Sequence, residues 1–198
     1  MRLTALLVLA CLARPAAAGE PPSVQSLFPL AVGNAWTYKV SGQDDRFVVR
    51  VAAQEPVGSQ MCFKLEASLK DKVVATEHVA FTNEGLCRFR VEHEDIEPPV
   101  CVLRVPAPKR GWTERYTLGT REATATFQTR TEDVTVPAGK FKATVVEARM
   151  GENRGLPPRT TVWYAPGIGP VKQVLAEDGK GRFPFALDLE KFNAATEK

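Results

Sequence analysis

The chain of 198 residues is poor in the side chains from which catalytic and metal centres are usually built. It has two histidines, His78 and His93, and four cysteines. A histidine-rich metal site has almost no material in it. No Gly-x-Ser-x-Gly occurs, and the serines that follow the N-terminal segment all fall in the first half of the chain with no His beside them. Serine hydrolysis is therefore left without its local signature. Charge of one sign is also missing. The formal net charge is +3, and two of the arginines, Arg2 and Arg14, sit in an acid-free N-terminal segment that reads as removable. What remains has no clustered excess of Lys and Arg, so nucleic acid and an anionic membrane surface are not indicated as partners. After the N-terminus no run of 18 apolar residues follows, which argues against an integral membrane protein built on helices. No segment keeps an apolar i, i+3, i+4, i+7 face for three turns, so long amphipathic helices are excluded too.

The first thing present is a leader. In Met1–Ala18 a positive Arg2 precedes an apolar stretch from Leu3 to Leu12, and Ala16-Ala17-Ala18 supplies a small-residue cleavage pattern before Gly19. This is the layout of a secretory signal peptide, too short to span a bilayer. The expected location is periplasmic or secreted. Val8-Leu9-Ala10-Cys11 offers an alternative, lipid attachment through Cys11, but Leu9 is unusual there and the apolar run would end early. The expected organisation is a signal peptide over 1–18, a flexible lead-in over 19–26, a single domain over 27–192 and a tail over 193–198.

The rest of the chain alternates apolar and polar residues in short runs, broken by Gly, Pro, Asn and Asp about every ten residues. That pattern predicts an antiparallel all-β domain with minor helix. Strands are expected at Ala35–Val40, Phe47–Ala53, Met61–Leu69, Val73–Thr82, Leu86–Glu92, Val100–Val105, Arg115–Leu118, Glu122–Glu132, Asp133–Pro137, Phe141–Met150, Thr160–Ala165, Pro170–Ala176 and Phe183–Leu189. His93–Pro99 reads as a loop, since two prolines and three acids interrupt a ladder. Short helical turns are conceivable at Val24–Leu30 and Glu190–Thr196. Three hairpins can be set in register. A three-residue loop with left-handed Gly85 places Phe81 opposite Cys87 and Val79 opposite Phe89, with His78 opposite Arg90 on the outer face. A turn at Lys70-Asp71-Lys72 places Leu69 opposite Val73, Ala67 opposite Ala75, and Glu77 on the apolar face opposite Leu65. Pro137-Ala138-Gly139 turns between Val134 and Val136 on one side and Phe141, Ala143 and Val145 on the other. A weak echo relates the Pro…Gly…Trp-Thr runs ending at Trp36-Thr37 and Trp112-Thr113.

Three blocks together carry a resemblance: FPLAVGNAWTYKV at 28–40, DVTVPAGKFKATVVEAR at 133–149 and TVWYAPGIGPVKQV at 161–174. Their order and spacing resemble exported bacterial domains of unknown function that are similar to the LolA/LolB lipoprotein-carrier superfamily. The resemblance implies one strongly curved antiparallel sheet, a half-open barrel with its concave face partly covered. It brings no catalytic residues. The cysteines and the acidic stretch at 93–99 are not part of the pattern.

Candidate chemistry is sparse. Cys62, Cys87 and Cys101 are odd in number, and the register separates Cys87 from His78, which disfavours a Cys–His pair. Cys87–Cys101 is the one disulfide entertained, because Cys62 is placed opposite in direction to Cys87 and two strands away. Glu92, His93, Glu94, Asp95 and Glu97 read as a solvated acidic loop rather than a metal site. Glu77 reads as a rim carboxylate, with a buried acid as its rival. The three tryptophans read as packing anchors ahead of a carbohydrate platform. Ala165–Pro170 reads as a rigid turn without the Lys-Ser/Thr of a phosphate loop. The leading expectation is a non-catalytic cell-envelope protein with no cofactor and no metal. It would hold a lipid, another apolar ligand or a segment of an envelope protein on a surface lined by Phe63, Val79, Phe89, Phe127 and Val145. A structural or assembly factor with a filled core is the alternative, and a hydrolase the third.

Overall fold

The computed structural model describes residues 22–151, 159–176 and 185–195. The expected leader with Cys11 and the last three residues of the tail lie outside the described residues. One helical turn, α1 (Val24–Leu27), is followed by twelve strands: β1 (Ala35–Val40), β2 (Arg46–Val57), β3 (Gln60–Leu69), β4 (Lys72–Thr82), β5 (Gly85–Val91), β6 (Glu94–Leu103), β7 (Trp112–Leu118), β8 (Arg121–Val136), β9 (Gly139–Gly151), β10 (Arg159–Ala165), β11 (Gly169–Ala176) and β12 (Phe185–Asn193). Each strand pairs antiparallel with the next, and β1 pairs with β12 through six partners, so the sheet closes on itself. The all-β reading holds. The curvature expected of a half-open barrel is carried further, to closure, which removes the last free edges.

Closure is uneven. β8 and β9 share thirteen paired positions, whereas β6 meets β7 only at Ile96–Leu118 and Glu97–Thr117. Pro98 and Pro99 in β6 have no N–H to give to a ladder. Farther along, Trp112 Nε1 donates to the Cys101 carbonyl at 2.8 Å and holds the two strands together by a side chain. A polar hollow of about 300 Å³ lined by Glu97, Arg115, Tyr116 and Glu122 lies along this seam.

The strands follow the alternation of the sequence, and the misreadings cluster at turns. Residues 94–99 are strand, not loop. Ile96 is buried, and Glu94, Asp95 and Glu97 pair with neighbouring strands, so the prolines sit on the weakly bonded side of β6. Glu122–Glu132 and Asp133–Pro137 form one strand, β8. Glu190–Asn193 continues β12 rather than coiling, while Val24–Leu27 is helical, capped by Ser23 Oγ accepting from Ser26 N at 3.0 Å. The Lys70-Asp71 turn has two central residues at φ 52° and 59°, so Leu69 pairs with Lys72 and a bulge restores Ala67–Ala75 and Leu65–Glu77. Gly85 is a paired residue and not a loop residue. Thr82 pairs with Gly85, Phe81 with Leu86, Ala80 with Cys87 and Val79 with Arg88. A Cβ on Gly85 would lie 2.1 Å from the Leu103 carbonyl oxygen, so only glycine lets β5 approach β6 here. A bulge at Phe89 then returns His78 to Arg90.

The core is continuous through the barrel. Trp36, Val51, Leu65, Leu86, Leu103, Phe127, Val145, Val171 and Leu189 are each 3% exposed or less. A second, small cluster of Val57, Cys62 and Ala80, with Phe89 packed against it, lies on the outside of the wall. Trp36 and Trp112 stand at the beginning of the first and seventh strands, the position their echo in the sequence marks.

Candidate ligand-binding site

The first and third of the resembling blocks meet in space. Trp36 Nε1 donates to the Ile168 carbonyl at 2.6 Å, and the Tyr38 hydroxyl to the Pro170 carbonyl at 2.8 Å. Phe28 packs edge-on against Trp36 at 5.2 Å, and Gly167 N donates to Ser26 O at 2.7 Å. Asn34 is buried, donating through Nδ2 to Pro29 O and accepting at Oδ1 from Ala195 N. These bonds lay α1 and its flanks across one end of the barrel. The β8–β9 hairpin adds a further tie, Ala138 N donating to Leu189 O at 2.8 Å.

Beneath this seal lies an interior cavity of about 140 Å³. Its walls come from ten strands and from Phe28, and most of its lining is apolar: Val49, Leu65, Val79, Phe127, Val146 and Met150 among others. Toward the opposite end it meets a second hollow of about 260 Å³, lined by Phe47, Ala67, Ala75, Thr76 and Val91. Val49, Leu65, Glu77, Arg88 and Gln173 line both, so they form the passage from the outer hollow to the inner one. Val73, Val74, Leu175 and Phe185 are exposed apolar residues at this end.

The passage carries the one charged pair of the cavity lining. Arg88 Nε lies 2.5 Å from Glu77 Oε2, in a geometry that is an ion pair rather than an aligned hydrogen bond. Their side chains keep 26% and 34% of their surface free, and that surface faces the hollows they line. Burial works against the Arg88 charge, and the Glu77 carboxylate more than offsets it, so the guanidinium stays above its ordinary range. Burial pushes the hydroxyls of Tyr38 and Tyr164, which also line the cavity, well above the usual tyrosine range. The site can therefore offer a few hydrogen bonds within a largely apolar wall. It holds no thiolate, imidazole or ionised phenol.

The expected lining residues divide. Val79 and Phe127 line the cavity. Phe63 packs at the margin of the core, edge-on to Phe81 at 6.3 Å. Val145 is fully buried in the core, paired with Trp163, and does not line the cavity, which β9 reaches through Val146, Ala148 and Met150. Phe89 is outside, in the small outer cluster, because it is the bulged residue of β5. Glu77 is on the inner face opposite Leu65 as the alternation requires, and it is not a solvated rim group, since Arg88 faces it. Arg88 itself is missed by the sequence reading. Its signal is the Gly85 pairing, which shifts the start of β5 by one residue and turns Arg88 inward.

The remaining candidates are structural. Cys87 and Cys101 are ladder partners and form a disulfide. Cys62 is fully buried in the outer cluster on the same side of the wall as Cys87, not opposite to it, and burial pushes its thiol up. His78 is buried with Nε2 2.5 Å from Glu55 Oε1. The acids at 92–97 are engaged separately: Glu92 accepts from Thr76 N, Glu94 from Arg121, and Asp95 from Arg90. Among the described residues, the group with metal-ligand spacing is Glu84, Cys101 and Glu114, but Cys101 is in the disulfide and Arg104 bridges both carboxylates at 2.7 Å. All three tryptophans are 8% exposed or less with their indole N–H groups bonded, which fits anchoring.

No protein-family model and no curated protein sequence matches the chain. Two crystal structures are similar to it. One is a provisionally named lipoprotein from Parabacteroides distasonis, with TM-score 0.48 and 12% identity over 85% of this chain and 98% of that one. The other is a provisionally named exported protein with a YmcC-like fold from Bacteroides fragilis, with TM-score 0.44 and 15% identity over 84% of this chain and 98% of that one. Among the described residues no helix is long and apolar enough to cross a membrane.

Proposed function

We propose that this is a non-catalytic exported protein that holds a lipid or other apolar ligand inside a barrel working in water. The observation that carries the reading is the apolar cavity beneath the sealed end, joined to an outer hollow through the Glu77–Arg88 passage. Small-molecule sites are largely apolar concavities with a few converging polar groups, which this arrangement matches. Ion pairs on the outer wall, such as Arg50–Glu66, Arg130–Glu132 and Lys172–Asp188, support a water-facing barrel, since lipid does not solvate such groups. The Met1–Ala18 leader supports export, and the resemblance to lipoprotein-carrier relatives supports a lipid as ligand. Catalysis is disfavoured because the cavity has no nucleophile with a base beside it.

Extraction of the protein purified from its own envelope, followed by native mass spectrometry, tests this. The expected result is a co-purified apolar molecule whose removal lowers the melting temperature. Ligand-free protein that no apolar compound stabilises would count against it. The modest size of the inner cavity favours one second reading, an assembly factor with a nearly filled core that meets an envelope partner through its rim.

A further inference from the structure

We infer that Glu77 sets the head-group specificity of this cavity, admitting an uncharged carbonyl-bearing amphiphile, an ester or amide, and rejecting the corresponding anion. The inference rests on the ligand-holding reading above and adds what the ligand must look like at its polar end.

The argument is one of charge. A lone arginine in an apolar passage is a receptor for an anion, because a carboxylate meets its planar fork in two hydrogen bonds. Here Arg88 is already neutralised by Glu77 at 2.5 Å. An incoming carboxylate would add a net negative charge to a low-dielectric passage, and burying an unbalanced charge is costly. An uncharged acceptor meets no such repulsion. Glu77 approaches the guanidinium at its Nε edge, and no other ion-pair partner of Arg88 is present among the described residues. The edge of the guanidinium turned away from Glu77 can then donate to a carbonyl oxygen. Tyr164, whose hydroxyl burial keeps protonated, and Gln173 add donors on the same lining. The dimensions fit a short apolar end below the pair. An engineered cavity of about 150 Å³ accommodates benzene, and the inner cavity here is about 140 Å³. The remainder of the molecule would occupy the outer hollow.

The test compares three probes of equal chain length, methyl octanoate, octanoate and n-octane, by calorimetry or displacement of a fluorescent apolar dye. It uses the mature chain at about pH 8, where the acid is fully ionised. The ester should bind about tenfold more tightly than either octanoate or octane, equivalent to roughly 1.4 kcal/mol. In Glu77→Gln the cavity becomes cationic, and the order of ester and acid should invert. An ester that binds no better than octane overturns the head-group role while leaving the cavity reading intact. Octanoate binding as tightly as the ester to the native protein also overturns it, as does an unchanged preference in Glu77→Gln. Should that variant not fold, the comparison of ester with octane and acid on the native protein still decides. Failure of all three probes to bind folded native protein overturns both this inference and the ligand-holding reading.

Discussion

The two ends of the barrel are built on opposite principles. At the sealed end, Leu27, Trp36 and Ala165 are 1% exposed or less, indole and phenol N–H and O–H groups are tied to backbone carbonyls, and Gly169 passes directly under the Trp36 ring. At the open end, the small ladder partners Ala67 and Ala75 line a hollow side by side, and the charged groups are a single ion pair at the neck. Rigidity is concentrated where nothing needs to pass. The difference teaches that aromatic and glycine positions in this chain mark stability, whereas the unremarkable alanines and the lone inward acid mark the candidate site. If this contrast is right, substitutions at the sealed end should change the melting curve, and substitutions at the open end should change ligand behaviour.

The largest effect is expected at Trp36. The ring is fully buried, touches Phe28 and stacks on Phe192 at 5.2 Å, and its N–H is bonded to Ile168 O. Trp36→Ala should destabilise by about 3–5 kcal/mol, measured by denaturant unfolding, through lost contact, a cavity and an orphaned carbonyl. A loss under about 1 kcal/mol would mean that the end is not sealed in solution.

Next come two glycines with positive φ, which separate strain from space. Gly139 has φ 139°, but a Cβ there would meet nothing nearer than the Phe141 ring at 3.7 Å. Gly139→Val should therefore cost about 1–3 kcal/mol from backbone strain alone. Gly85 has φ 146° and a Cβ would fall 2.1 Å from Leu103 O, so Gly85→Val should cost clearly more than Gly139→Val. Equal losses would show that β5 and β6 can part without penalty. Reduction of Cys87–Cys101 in the same pair of strands should cost about 2–4 kcal/mol, given a separation of 14 residues. Melts with and without reductant measure it.

Much of this architecture was legible in the residues, for a physical reason. Strand pleating has period 2, and the alternation of β1 survives into the structure residue for residue. What was not legible depends on one-residue slips. Gly85 reads equally well as a loop residue or as a paired one, and only its closeness to Leu103 O decides between them. That choice, with the bulge at Phe89, moves Phe89 to the outside and Arg88 to the inside. The candidate site was therefore half visible: Glu77 stood out as a charge on an apolar face, while its partner was hidden by register. Closure was not visible at all. The β6–β7 seam rests on two ladder pairs, the indole hydrogen bond, a Gly119 N to Asp95 O bond and the Arg104–Glu114 pair, contacts that no local pattern announces.

The smallest effect on stability is expected at Ala75, and it is the sharpest test of the contrast between the ends. Ala75 is partly exposed, pairs with Ala67 and lines the outer hollow but not the inner cavity. Overpacking costs arise where a core is already filled. A hollow of about 260 Å³ that continues to solvent can take a larger side chain. Ala75→Phe should thus change unfolding free energy by less than about 0.5 kcal/mol. It should nevertheless place a ring across the approach to Glu77 and Arg88 and slow the uptake of an apolar fluorescent dye several-fold. The opposite pair of results, a destabilised protein with unchanged dye uptake, would mean that the ligand enters elsewhere. The β6–β7 seam, with its two ladder pairs, would then be the entrance to examine, and the open end would be no more than a loosely packed edge of the core.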